Sequence, residues 1–91
     1  MYYLIAYDIS SSHRLRRVAM VCKNYGVRLQ KSLFECHLEK GDFKRLWQQL
    51  CDITQRDEDT LVAYPICGAC LKEVRQNSPR VHPEVPQCYV V

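Results

Sequence analysis

The sequence predicts an α+β domain in which two helices cover one face of an antiparallel sheet. Three observations carry this. The chain opens on an apolar, strand-length segment, Tyr2–Asp8. Two later stretches place apolar residues at helical three-to-four spacing. The segments between and after those stretches are short and bounded by turn residues, giving the order strand, helix, strand, strand, helix, strand.

Each element has its own justification. Tyr2-Tyr3-Leu4-Ile5-Ala6-Tyr7 reads as a buried strand, and Asp8 is the acid at its end. Ser10, Ser11 and Ser12 follow and supply a helix N-cap. Over 11–25, Leu15, Val18, Ala19, Cys22 and Tyr25 form one apolar stripe, with Gly26 as the stop. Val27–Gln30 is a short strand, and 32–39 is another, with Leu33 facing one way and Phe34, Cys36 and Leu38 the other. So short a separation predicts a tight antiparallel hairpin or one sharply bent strand. Gly41-Asp42 is expected to cap a second helix whose apolar face is Phe43, Leu46, Trp47, Leu50 and Ile53, ending near Thr54. The acidic turn Arg56-Asp57-Glu58-Asp59 leads into the strand 60–65.

This order is the split strand-helix-strand repeat of the ferredoxin-like fold, βαββαβ. Residues 1–78 are assigned to that domain. Residues 79–91 are assigned to a proline-containing linker and a final strand too short to be stable alone, suited to adding onto a sheet edge. With both helices on one face, the other sheet face carries aromatics and aliphatics and calls for a partner. The expectation is a two-fold homodimer packed sheet to sheet, with the final strands exchanged between subunits.

Composition narrows the function. A chain of 91 residues is one small domain that buries only about 60–65% of its unfolded surface, so pairing with a second subunit gains it much. No apolar run approaches the ~18 residues of a membrane span, and the opening segment lacks the basic flank of a signal peptide. A cytoplasmic protein is expected. The net charge of +3 is unevenly placed: residues 1–45 carry nine Lys/Arg against four Asp/Glu, while residues 46–91 carry four against six. A basic half suits a polyanion-binding face. Of the six cysteines, Cys22 and Cys51 are expected on apolar helix faces and Cys36 and Cys88 within strands, as free thiols.

The candidate site lies where the first strand passes into the first helix. Arg14, Arg16 and Arg17 crowd the first turns, where the helix dipole already carries partial positive charge, so they call for an anion opposite them. Phosphate meets that demand. Arg14 and Arg17 lie three apart on one helix face, Arg16 points elsewhere, and Arg28 and Lys31 extend the set of candidate phosphate ligands. An acid ending an apolar strand is costly unless it is solvated, capped or metal-bound. Asp8 is therefore either a metal ligand or the head of an Asx turn onto Ser10–Ser12. One carboxylate is a poor Mg²⁺ site, but a dimer axis passing near Asp8 brings two together. Ser32 and Phe34, two apart in one strand, are candidates to orient a phosphate and to pack a base or a partner, with core packing the stronger expectation for Phe34 by itself. Cys67-Gly68-Ala69-Cys70 is half of a zinc pattern without its second half, and a redox motif would want a helix directly after the first cysteine within a thioredoxin-like unit, neither of which the sequence shows. Ordinary thiols are expected there.

Tyr7-Asp8-Ile9 before an arginine-rich helix, then Tyr25-Gly26-Val27-Arg28-Leu29-Gln30-Lys31-Ser32-Leu33-Phe34-Glu35-Cys36, resembles the CRISPR-associated protein 2 family, the small subunits of the prokaryotic spacer-acquisition machinery. The likeness covers essentially the whole chain. It implies a ferredoxin-like homodimer with swapped C-terminal strands, and a Mg²⁺ or other divalent cation held between the two Asp8 side chains. It also implies that Tyr7, Arg17, Arg28, Ser32 and Phe34 flank that site. The implied partners are the larger CRISPR-associated integrase, whose dimers the protein bridges, and a DNA duplex. The implied activity is a metal-dependent endonuclease of RNA or DNA, with Asp8 as the catalytic, metal-holding residue, in a family whose members vary in it. A stand-alone, toxin-like endoribonuclease is the alternative. Many members carry further acids in the turn after the first strand; here that turn holds Ser10, Ser11 and Ser12.

Overall fold

In the computed structural model, residues 1–73 and Arg75 are described. They form β1 (Tyr2–Asp8), α1 (Ser12–Tyr25), β2 (Val27–Gln30), β3 (Leu33–His37), α2 (Lys40–Ile53), β4 (Thr60–Ile66) and a short α3 (Gly68–Leu71). The four strands make one antiparallel sheet in the order β2-β3-β1-β4, so β1 lies between strands that follow it in sequence. That is the βαββαβ arrangement expected. The proposed linker and exchanged strand over 79–91, with Cys88, lie outside the described residues.

Alternation along β1 decides the layers. Tyr3, Ile5 and Tyr7 are buried against the helices, while Tyr2, Leu4 and Ala6 point the other way and stay half-exposed. Phe34 and Cys36 of β3 share the buried side. They meet Val18 and Cys22 of α1 and Leu46, Leu50 and Ile53 of α2 in one continuous core. Tyr3 stacks on Phe43 with ring centroids 3.9 Å apart, and Phe43 leans on Trp47, which fixes the start of α2 on the sheet.

Local chemistry sets the ends of the helices. Ser11 is the N-cap of α1, its hydroxyl accepting from the Arg14 N–H. Gly26 ends α1 through its own N–H on the Cys22 carbonyl, in extended backbone that any residue adopts. Glycine is required there for room: a Cβ would overlap the Glu35 carbonyl and sit 2.6 Å from Cys36 Sγ. The N-cap of α2 is Glu39, two residues before the expected Gly41-Asp42, and Asp42 falls in the first turn instead, paired with Arg45. There its charge faces the helix dipole favourably.

The hairpin alternative between β2 and β3 is the one realised. Lys31 and Ser32 make the turn, and the register slips between Arg28 and Gln30. Ser32 belongs to that turn rather than to the strand. Two further expectations are corrected. Cys51 lies on the exposed side of α2, because the buried stripe runs through Leu46, Leu50 and Ile53. Residues 68–71, where no helix is expected, form the one-turn α3.

Candidate functional site

One end of the sheet gathers the chemistry. The end of β1, the start of α1, the β2–β3 turn and the loop before β4 meet there. Asp8 pairs with Thr60, the Tyr7 N–H donates to the Ser32 carbonyl at 3.1 Å, and the Tyr7 hydroxyl donates to the Lys31 carbonyl at 3.2 Å. Asp8, Lys31 and Ser32 are all exposed at this end.

Asp8 continues the outward row of Tyr2, Leu4 and Ala6, and its carboxylate has no hydrogen bond or ion pair among the described residues. The Asx-turn alternative is not realised. The Ser10 N–H that such a turn would use donates to Asp59 Oδ1 at 3.1 Å, and Ser11 serves as the cap.

For Arg14 alone, the anion comes from the chain itself. Arg14 Nε donates to Asp59 Oδ2 at 2.8 Å and Nη2 to Asp59 Oδ1 at 3.1 Å, a two-point grip, with Glu58 at 3.5 Å. Ser10 Oγ and the backbone N–H groups of Ser10 and Gln55 complete the shell of the Asp59 carboxylate. Arg14, together with the Gln55 and Ser10 N–H groups, holds its carboxyl well below the usual carboxylate range. The Arg14 guanidinium is thus turned inward, its side chain 17% exposed and that of Asp59 only 1%. Arg16 and Arg17 remain exposed on α1. Asp59 was missed in the sequence. Its signal was an acidic turn in a chain whose first helix starts on arginines.

Arg28 lies on the edge strand β2 with its guanidinium carbon 5.3 Å from the centre of the Phe34 ring. It also reaches the Tyr7 hydroxyl; burial pushes that phenol up, and the Arg28 hydrogen bond opposes the shift. Tyr7 and Phe34 themselves are core, on the helix side of the sheet, with Phe34 fully enclosed. Their rings support Arg28 from below, while Asp8 faces the opposite side of the sheet.

The donors present bear on a divalent cation. A carboxylate is the hard oxygen ligand that Mg²⁺ takes, with one or two such groups completed by water and phosphate oxygens. Among the described residues no three His, Cys, Asp or Glu side chains gather into a cluster. Asp8 therefore fits as one contributor to a shared site and not as a complete site in one chain.

Fold and site together define a ferredoxin-like domain that presents a strand-end carboxylate beside an arginine-bearing helix. A profile of the family described as CRISPR associated protein Cas2 matches residues 1–74. A protein of Synechocystis sp. named CRISPR-associated endoribonuclease Cas2 3 is 43% identical over 72 residues, 79% of this chain and 78% of that one. One of Chloroflexus aurantiacus, CRISPR-associated endoribonuclease Cas2 1, is 35% identical over 88 residues, 96% of this chain and 95% of that one. The crystal structure of Streptococcus pyogenes Cas2 at pH 6.5 superposes with a TM-score of 0.74 at 30% identity, covering 81% of this chain and 95% of that one. The chain belongs to the CRISPR-associated Cas2 family. No described helix is long and apolar enough to cross a membrane.

Proposed function

We propose that this chain is a CRISPR adaptation subunit that works as a homodimer, binds nucleic-acid backbone and bridges integrase dimers during spacer acquisition. Its two Asp8 carboxylates share a divalent cation, Mg²⁺ in the first instance, at a phosphodiester-cleaving site. The observation that carries this reading is Asp8 itself: exposed, without a partner among the described residues, and set on the outward sheet face where a second copy would pack.

A bound divalent cation supplies Lewis-acid polarisation of a phosphoryl oxygen. The chain's own residues do the rest. Asp8 holds the cation; Arg16, Arg17, Arg28 and Lys31 take backbone phosphates without reading bases; Ser32 donates from the β2–β3 turn. Arg14 acts one step back, by fixing the start of α1 on which Arg16 and Arg17 ride. A second reading, a stand-alone metal-dependent endoribonuclease, is favoured by the names of the Synechocystis and Chloroflexus relatives.

Asp8→Asn in the purified protein separates these functions. Metal-dependent cleavage of RNA or DNA is expected to fall by about a hundredfold or more, the scale of losing one preorganised charge-stabilising group, with duplex affinity and oligomeric state retained. Cleavage that survives removes Asp8 from catalysis. Loss of spacer acquisition with integrase binding intact overturns a purely scaffolding role.

A further inference from the structure

The pair Cys67 and Cys70 stands apart from the site just described. Cys67 directly follows β4, and α3 begins at the next residue. The turn is closed by the Leu71 N–H on the Cys67 carbonyl at 3.0 Å and the Lys72 N–H on the Gly68 carbonyl at 3.2 Å. Its three-residue spacing puts both side chains on one side of the turn. Their sulfurs are hydrogen-bonded at 3.4 Å, and both residues are exposed. The sequence predicts no helix after the first cysteine; the structure supplies a single helical turn, Gly68–Leu71, outside any thioredoxin-like unit.

From this geometry we propose that Cys67 and Cys70 form a reactive dithiol that exchanges with small disulfides, Cys67 attacking and Cys70 resolving. The Cys67 thiolate attacks one sulfur of a disulfide RSSR, forming a mixed disulfide and releasing RS⁻, which takes up a proton. Cys70, losing its proton to solvent, displaces the second RS⁻ and closes the Cys67–Cys70 bond. The protein dithiol is oxidised by two electrons and RSSR is reduced to two RSH.

The division of labour follows from the surroundings of each sulfur. The Cys70 backbone N–H, the Cys70 thiol and the Ala69 N–H hold the Cys67 thiol below its ordinary range. Cys70 is pushed up by its bond to Cys67 and by the negative charge there, with Glu73 adding to it. The other described cysteines differ. Burial pushes Cys22 up to about 12 and Cys36 up to about 11, which leaves them inert, while Cys51 is exposed with no thiol neighbour among the described residues. The closed loop spans only Cys67 to Cys70, so the bond removes little entropy from the unfolded chain. It suits reversible modification better than stapling.

The test incubates the full chain in glutathione buffers from reducing to oxidising, followed by thiol alkylation and peptide mass spectrometry. In reducing buffer Cys67 should alkylate several-fold faster than Cys51. In oxidising buffer Cys67 and Cys70 should lose alkylation together, linked to each other within one chain, while Cys51 stays open. Cys70→Ser should trap glutathione on Cys67, and Cys67→Ser should take up several-fold less on Cys70; circular dichroism checks that both variants fold. Equal reactivity of Cys67 and Cys51 overturns the proposal. So does a bond from either cysteine to Cys88 or to a second chain. Added zinc that protects both thiols of the reduced protein, with no disulfide formed in oxidising buffer, assigns the pair to a metal instead.

Discussion

Asp59 shows how one carboxylate can hold several elements. It takes Arg14 Nε and Nη2 from α1, the Ser10 N–H from the loop after β1 and the Gln55 N–H from the loop after α2. Its folded-state pKa is depressed by these donors, so the stability it contributes is present above the unfolded value and is lost as pH falls through that value toward the folded one. The expected outcome is a thermal midpoint that drops as pH falls below about 4, with Asp59→Asn flattening that part of the profile. At neutral pH the same variant should lower Tm by about 5 °C, measured by calorimetry. Arg17 should behave differently, being exposed and without a partner among the described residues. Arg17→Ala should leave Tm unchanged, weaken duplex binding whatever the sequence, and make the salt dependence shallower by about one unit of slope. Fluorescence anisotropy at several salt concentrations reads both.

At the scale of elements, the close approach of α1 to β3 is what positions the β2–β3 hairpin and hence Arg28, Lys31 and Ser32. Gly26 is the contact point. Any side chain there must displace the Glu35 backbone or Cys36 Sγ, which is itself enclosed in the core. Gly26→Ala is therefore expected to destabilise by about 1–3 kcal/mol, the range for overpacking, measured by urea unfolding with an unchanged m-value. Gly26 is the helix stop that its place in the sequence predicts, but for a steric reason. A left-handed cap and a steric gap leave the same letter in a sequence.

The whole molecule is asymmetric across its sheet. The long helices α1 and α2 pack on one side; the other presents Leu4 and Ala6 of β1, with Leu33 of β3 and Val62 of β4 flanking Ala6. All four are half-buried in the single chain. Against the proposed sheet-to-sheet homodimer, Ala6→Arg should convert dimer to monomer at micromolar concentration, read by analytical ultracentrifugation, while the helical circular dichroism is retained. It should also abolish any metal-dependent cleavage, since the two Asp8 carboxylates would no longer meet. A monomeric variant that still cleaves would separate the activity from the dimer.

The strand and helix order, the Phe34–Cys36 face, the apolar stripe of α2 and the exposed acid at Asp8 were legible in the chain, because each rests on local periodicity or on the cost of one charge beside an apolar run. The inward turn of Arg14 was not, since its partner Asp59 lies 45 residues away and only the antiparallel pairing of β1 with β4 brings them together. The placing of Tyr7 in the core beneath Arg28, on the sheet face opposite Asp8, was likewise decided by the sheet, which sends neighbouring side chains to opposite faces. The closing of Cys67 onto Cys70 needed a helical turn too short to leave a periodic signal. Sequence by itself determined the elements and the residues able to do chemistry; the tertiary structure decided which of them face each other, because only packing brings distant parts of the chain within hydrogen-bonding range.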